Sequence, residues 1–130
     1  MIDKIQFLTL AEIVEIHNNQ LDLYGGSRGI RDITLLQSAL AMPESTFDSN
    51  YLHNDIFEMA AAYAYHICQN HPFIDGNKRV ALVAALVFLD FNGIEIDDPD
   101  EILYKAMMNV ASSKMNKEEL TIVLRSLMKE

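Results

Sequence analysis

Cations are scarce in this chain. Its 130 residues hold 10 Lys and Arg against 19 Asp and Glu, a formal net charge of −9. Nucleic-acid phosphates repel such a surface, so no direct nucleic-acid partner is expected, and any cationic site has to be assembled locally. Cysteine is scarcer still. Cys68 stands alone, which rules out an internal disulfide, and its apolar neighbours predict a buried thiol. Long apolar runs are missing too: Val80 to Leu89 is far too short to cross a bilayer, and no N-terminal segment has the form of a signal peptide. These absences predict a soluble cytoplasmic protein without membrane contact.

What remains is hydrophobic. Half of the residues are apolar, enough to offset chain entropy in one domain spanning residues 1–130, and disorder is not expected. The local signals are mostly helical. Thr9 to Glu12 has capping-box form, Ile13, Ile16 and Leu23 follow at helical spacing, and Gly25-Gly26 closes the segment. Asp32 or Thr34 is placed to cap a second helix that Pro43 stops. Residues 43–52 mix turn formers with Thr, Phe and Tyr and read as a loop or short hairpin.

A third helix, Asn54 to Gln69, and a fourth, Asn77 to Phe91, are apolar on most faces and therefore predicted to be central. Asn92-Gly93 is a C-cap signal. Asp98-Pro99 with Glu101 reads as an N-cap, a first-turn proline and an N3 acid, and Asn116 as the cap of a last helix. The expected fold is all-α, a compact bundle of about six helices with one short hairpin. Met107, Met108, Met115 and Met128 are read as core filler, His66 as a satisfied core residue, and His17 and His53 as surface.

One stretch breaks this pattern: His71-Pro72-Phe73-Ile74-Asp75-Gly76-Asn77-Lys78-Arg79. It joins two buried helices, so a site on it is held between rigid rods. The first amides of the second helix have no internal partners and favour an anion, and Gly76 lets the backbone approach one. Lys78 and Arg79 oppose the macrodipole there, at roughly 0.3–1 kcal/mol each, which makes sense if a multiply charged anion binds between them. Phosphate fits. Asp75 beside an anion is explained by a bridging Mg²⁺, which takes one or two carboxylates and completes its shell with phosphate oxygens and water. His71, with an ordinary pKa near 6.5, suits a general base. A His-Pro stop, an Asp-Gly turn or a Lys-Arg pair is commonplace alone; together within one loop they are the parts that phosphoryl transfer needs.

At these residues the sequence resembles the Fic/Doc family, whose motif is His-Pro-Phe, any residue, Asp or Glu, Gly-Asn, a variable residue, Arg. The resemblance extends through Gly25-Gly26, Gly29 to Asp32, Leu35 to Leu40, Thr46-Phe47, Phe88-Leu89 and Asn92-Gly93. It implies a Fic-like bundle in which His71 deprotonates a target hydroxyl, Phe73 anchors the loop and Asp75 holds Mg²⁺. Gly76, Asn77, Lys78 and Arg79 would bind the phosphates of ATP. Ser45, Thr46 and Phe47 would lie on a flap that holds a target segment by strand-like pairing.

Members that transfer AMP usually have Gly where Lys78 stands and a second Arg where Leu82 stands. These two departures resemble the Doc (death-on-curing) toxin branch. The branch implies a kinase of a toxin–antitoxin pair that places the γ-phosphate of ATP on a threonine of a translation factor such as elongation factor Tu, with an antitoxin protein as partner. AMP transfer (AMPylation) is the alternative, and a non-catalytic partner-binding module a further one. Ser126 to Glu130 has part of the spacing of the family's inhibitory helix, which is read as chance.

Overall fold

The computed structural model describes residues 4–130. Six α-helices and one hairpin follow in chain order: α1 (Leu10–Tyr24), α2 (Ile33–Ala41), β1 (Thr46–Phe47), β2 (Asn50–Tyr51), α3 (Ile56–Asn70), α4 (Asn77–Phe91), α5 (Ile102–Ala111) and α6 (Lys117–Ser126). The all-α expectation with a small hairpin holds. Among the described residues no helix is long and apolar enough to cross a membrane.

Helix starts follow side-chain caps. Thr9 Oγ1 accepts from the Glu12 amide at 3.1 Å while Glu12 Oε1 accepts from the Thr9 amide at 2.8 Å, a reciprocal capping box. Asp32, not Thr34, caps α2, and Asp55 caps α3. Asn116 and Glu119 form a second capping box at α6. The start of α5 departs from expectation. Glu101 sits in the left-handed region at φ 54° as the cap residue, and Ile102 is the first helical residue. Asp98 still supplies the capping carboxylate, accepting from the amides of Ile102 at 2.8 Å and Leu103 at 2.9 Å. Its reach lengthens the entry turn and leaves Pro99 outside the helix.

Helix α3 is the axis of the molecule and packs against α2, α4, α5 and α6. Its small residues Ala60, Ala61 and Ala64 allow close approach, and Tyr63, Phe73 and Phe88 fill the space between helices. Cys68 is a buried free thiol. Met107 is buried, but Met108 and Met128 are exposed, because the phase of α5 and the chain end turn them outward; Leu23 on α1 is likewise exposed. Residues after Ser126 leave α6, and Met128 bridges to Ile96, so the segment to Glu130 is no helix and its motif-like spacing has no helical face to act on.

The hairpin pairs Thr46 with Tyr51 and Phe47 with Asn50. Asp48 and Ser49 both have positive φ, the backbone of a primed two-residue turn whose twist matches the strands. Phe47 at its tip is 75% exposed.

Candidate active site

The loop between α3 and α4 is held from three directions. Helix α3 ends at His71, whose left-handed backbone (φ 51°) lets its amide close on Ile67 O at 3.1 Å. Such a conformation costs a non-glycine residue about 1–3 kcal/mol and persists only where neighbours enforce it. Arg31 does so. Its Nε donates to His71 O at 2.6 Å and its Nη2 to Asn70 O at 2.9 Å, which satisfies orphan carbonyls at the negative end of α3. Residues 29–32 then run alongside the loop: the amides of Arg31 and Asp32 donate to Pro72 O, and the Ile74 amide donates to Gly29 O at 3.1 Å.

Within the loop Phe73 is fully buried. Asn77, itself buried, grips the Phe73 backbone with both ends of its amide: Oδ1 accepts from Phe73 N at 2.9 Å and Nδ2 donates to Phe73 O at 2.9 Å. The Asn77 side chain is thereby turned onto the loop backbone, and its main-chain amide is left for an anion. Gly76, at φ 81°, opens α4 without a side-chain cap, and Val80 is the first amide to find a helical partner, Gly76 O at 3.0 Å. The amides of Asn77, Lys78 and Arg79 therefore point out of the helix end with partial positive charge.

Asp75 is exposed and its carboxylate accepts twice, from the Ser27 amide at 3.0 Å and from the Gly76 amide at 2.9 Å. The Ser27 bond first, then the Gly76 bond, hold its pKa below the usual carboxylate value, with smaller contributions from His17 and Lys78. It is ionised at neutral pH. Among the described residues no three His, Cys, Asp or Glu are grouped so as to hold a metal ion, so a cation at Asp75 would draw its other ligands from phosphate and water. Mg²⁺ accepts that arrangement, and each carboxylate oxygen keeps a free lone pair for it.

Arg79 lies with its guanidinium carbon 3.9 Å above the Tyr24 ring and 5.5 Å from the Tyr104 ring. Stacking uses the face of the guanidinium and leaves its in-plane N–H donors free. Among the described residues neither Lys78 nor Arg79 pairs with a carboxylate. The His71 imidazole is exposed and makes no hydrogen bond to the described residues. All of these groups line one cavity of about 620 Å³, within the size range of small-molecule sites. A base, an ionised carboxylate, three outward amides and two unpaired cations thus share one opening, and their chemistry suits the handling of a polyphosphate.

Residues 7–89 match the Fic/DOC family. The chain is 31% identical over 123 residues to the protein named Protein kinase doc of Escherichia phage P1, covering 89% of this chain and 90% of that one. It is 37% identical over 73 residues to Toxin Doc of Mycolicibacterium smegmatis, where the match spans 56% of each chain. The chain belongs to the Fic/DOC family.

The structure gathers the Fic/DOC motif residues His71, Asp75, Gly76, Asn77, Lys78 and Arg79 on one cavity wall. It does not place the hairpin there: Ser45, Thr46 and Phe47 are absent from the cavity lining. Two expectations are corrected. His17 is 3% exposed, not at the surface, because its ring lies flat on Phe73 at 3.9 Å between centroids and Nε2 donates to Asp75 O at 2.9 Å. His53 is buried as well, its Nε2 3.1 Å from Lys117 Nζ, which also contacts Nε2 of half-buried His66 at 3.1 Å.

Sequence reasoning also missed Tyr24, Tyr104 and Ser27. Tyr24 had a usable signal, an aromatic residue immediately before the Gly25-Gly26 turn. Tyr104 and the backbone amide of Ser27 had none.

Proposed function

We propose that this chain is a Doc-type toxin, a protein kinase that moves the γ-phosphate of ATP to a threonine hydroxyl of a translation factor such as elongation factor Tu, and that a separate antitoxin restrains it. The observation that carries this reading is the pairing of outward α4 amides with the carboxylate-free cations Lys78 and Arg79 beside the free His71 imidazole. Similarity along 90% of a phage protein named as a kinase supports it. So do Lys78 and Leu82, which stand where AMP-transferring relatives carry Gly and Arg.

His71 takes the proton of the target hydroxyl as its oxygen attacks the terminal phosphorus, and ADP leaves. The amides of Asn77, Lys78 and Arg79 bind phosphate oxygens, and Arg79 presents its guanidinium edge to the charge that moves while its face stays on Tyr24. Lys78 adds a flexible point charge at the same opening. Asp75 would hold Mg²⁺, which supplies charge neutralisation on the phosphates. The flap at Ser45 to Phe47 offers exposed strand edges to a target segment.

The test is transfer of label from ATP to protein in a cell extract. Label arriving from the γ position alone is the expected result. Label from the α position alone would mark nucleotidyl transfer, and growth inhibition that survives His71→Ala would mark a non-catalytic module. For the antitoxin, co-expression with the product of the adjacent reading frame should restore growth.

A further inference from the structure

His17 lies under the catalytic loop without lining its cavity. Asp75 O is a carbonyl and can only accept, so the 2.9 Å contact fixes the tautomer: Nε2 carries the proton and donates. The same ring lies 13° from parallel with Phe73 at 3.9 Å, and a Cβ on Gly76 would stand 3.8 Å from its Cδ2. One imidazole thus touches or underlies three residues of the loop.

The Asp75 carbonyl belongs to the peptide plane whose other edge is the Gly76 N–H. That N–H donates to Asp75 Oδ1 at 2.9 Å. A trans peptide is rigid and planar, so holding its C=O also aims its N–H. Gly76, at φ 81°, has no side chain to resist rotation about its own backbone bonds. The next amides, which form the anion nest, follow from the same plane.

We propose that His17 is a positioning residue of this site: its Nε2–H locks the Asp75–Gly76 peptide, and through that plane, together with the Ser27 amide on Oδ2, sets where the Asp75 carboxylate points. The inference rests on the kinase reading only for its effect on Mg²⁺ use. The geometric part stands without it. Partners behind a metal-binding carboxylate act in this way, holding the ligand so that affinity is not spent on ordering it.

Two substitutions separate the donor from the ring. His17→Phe keeps the stack on Phe73 and removes the donor. His17→Gln keeps an N–H donor of similar reach and removes the stack. In the nucleotide-free protein, amide hydrogen exchange at Gly76 should quicken about tenfold in His17→Phe, the equivalent of one lost hydrogen bond, and stay within about twofold in His17→Gln. In the labelling assay the half-saturating Mg²⁺ concentration should rise about tenfold in His17→Phe alone. Gly76 exchange unchanged in His17→Phe would overturn the inference. So would equal loss in both variants, because the stack rather than the donor would then hold the loop. A parent protein that transfers no γ-label removes the kinase reading instead, and the exchange result still decides the role of His17.

Discussion

Two neighbourhoods on helix α3 hold a histidine close to a lysine, and they have opposite chemistry. At its C-terminal end His71 is exposed, and among the described residues its ring has no hydrogen-bond partner and Lys78, which lines the same cavity, has no carboxylate partner. Further back, His66 meets Lys117 Nζ at 3.1 Å, and the same ammonium contacts His53 at 3.1 Å. There the two imidazole Nε2 lone pairs accept from the ammonium, so the nitrogens that face one another are spent on one another. Burial, then Lys117, pushes His66 down to about 4, and the same two causes lower His53, whose Nδ1 faces the Pro43 carbonyl without a full hydrogen bond. Burial also lowers Lys117. The lesson is that residue type does not make a site. Unspent donors and acceptors around an open cavity do, whereas a cluster of the same residues whose facing nitrogens are spent on one another is a joint between elements, here the end of the hairpin, α3 and α6.

The sharpest way to break this contrast is at His71. His71→Ala should lower phosphate transfer by about 10²–10⁴-fold with the melting temperature nearly unchanged, since the ring supports nothing. A parent-like rate in steady-state labelling would equate the two histidines. Phe73→Ala should instead act on stability, costing on the order of 3–5 kcal/mol in urea unfolding, because a fully buried ring is lost from the core.

The closed cluster makes a pH prediction. The folded pKa of His66 lies below its unfolded value, so the unfolded chain binds the proton more readily. The contribution is whole above about pH 6.5 and declines as pH falls toward 4, by on the order of 1–2 kcal/mol after discounting the half-exposed ring. Thermal melts at pH 7 and pH 5 check the direction. Lys117→Met should raise the His66 pKa in an NMR titration and leave phosphate transfer within about twofold, as expected of a site that only joins elements. The smallest effect belongs to the rim of the same cluster. Arg125 pairs with Asp55 at 2.6 Å with both side chains well exposed, and Arg125→Ala should cost less than about 1 kcal/mol in the same unfolding assay.

The difference between the neighbourhoods also explains what could be read beforehand. The motif from His71 to Arg79 was legible because its parts are consecutive: a helix stop, a glycine, a helix start and two cations within one loop. The bounds of α4, the capping box at Thr9, the cap at Asn116 and the short hairpin were legible for the same reason. The burial of His17 was not, because its partner Asp75 lies 58 residues away. His53 was misread for an equal cause, its partner Lys117 being 64 residues distant. The entry to α5 failed on a local competition, with Asp98 reaching past Pro99 to the two consecutive amides of Ile102 and Leu103 and capping from outside.

The sequence alone determined the helices, their caps and the chemical contents of one loop, since each depends on residues within a few positions of one another. The tertiary structure decided which polar groups remain free. It turned the Asn77 side chain inward onto Phe73, laid Arg79 on Tyr24, seated His17 beneath Asp75 and closed Lys117 between two imidazoles. Hydrogen bonds and stacks of that kind are satisfied by whichever group packing brings near, and packing is a property of the whole chain.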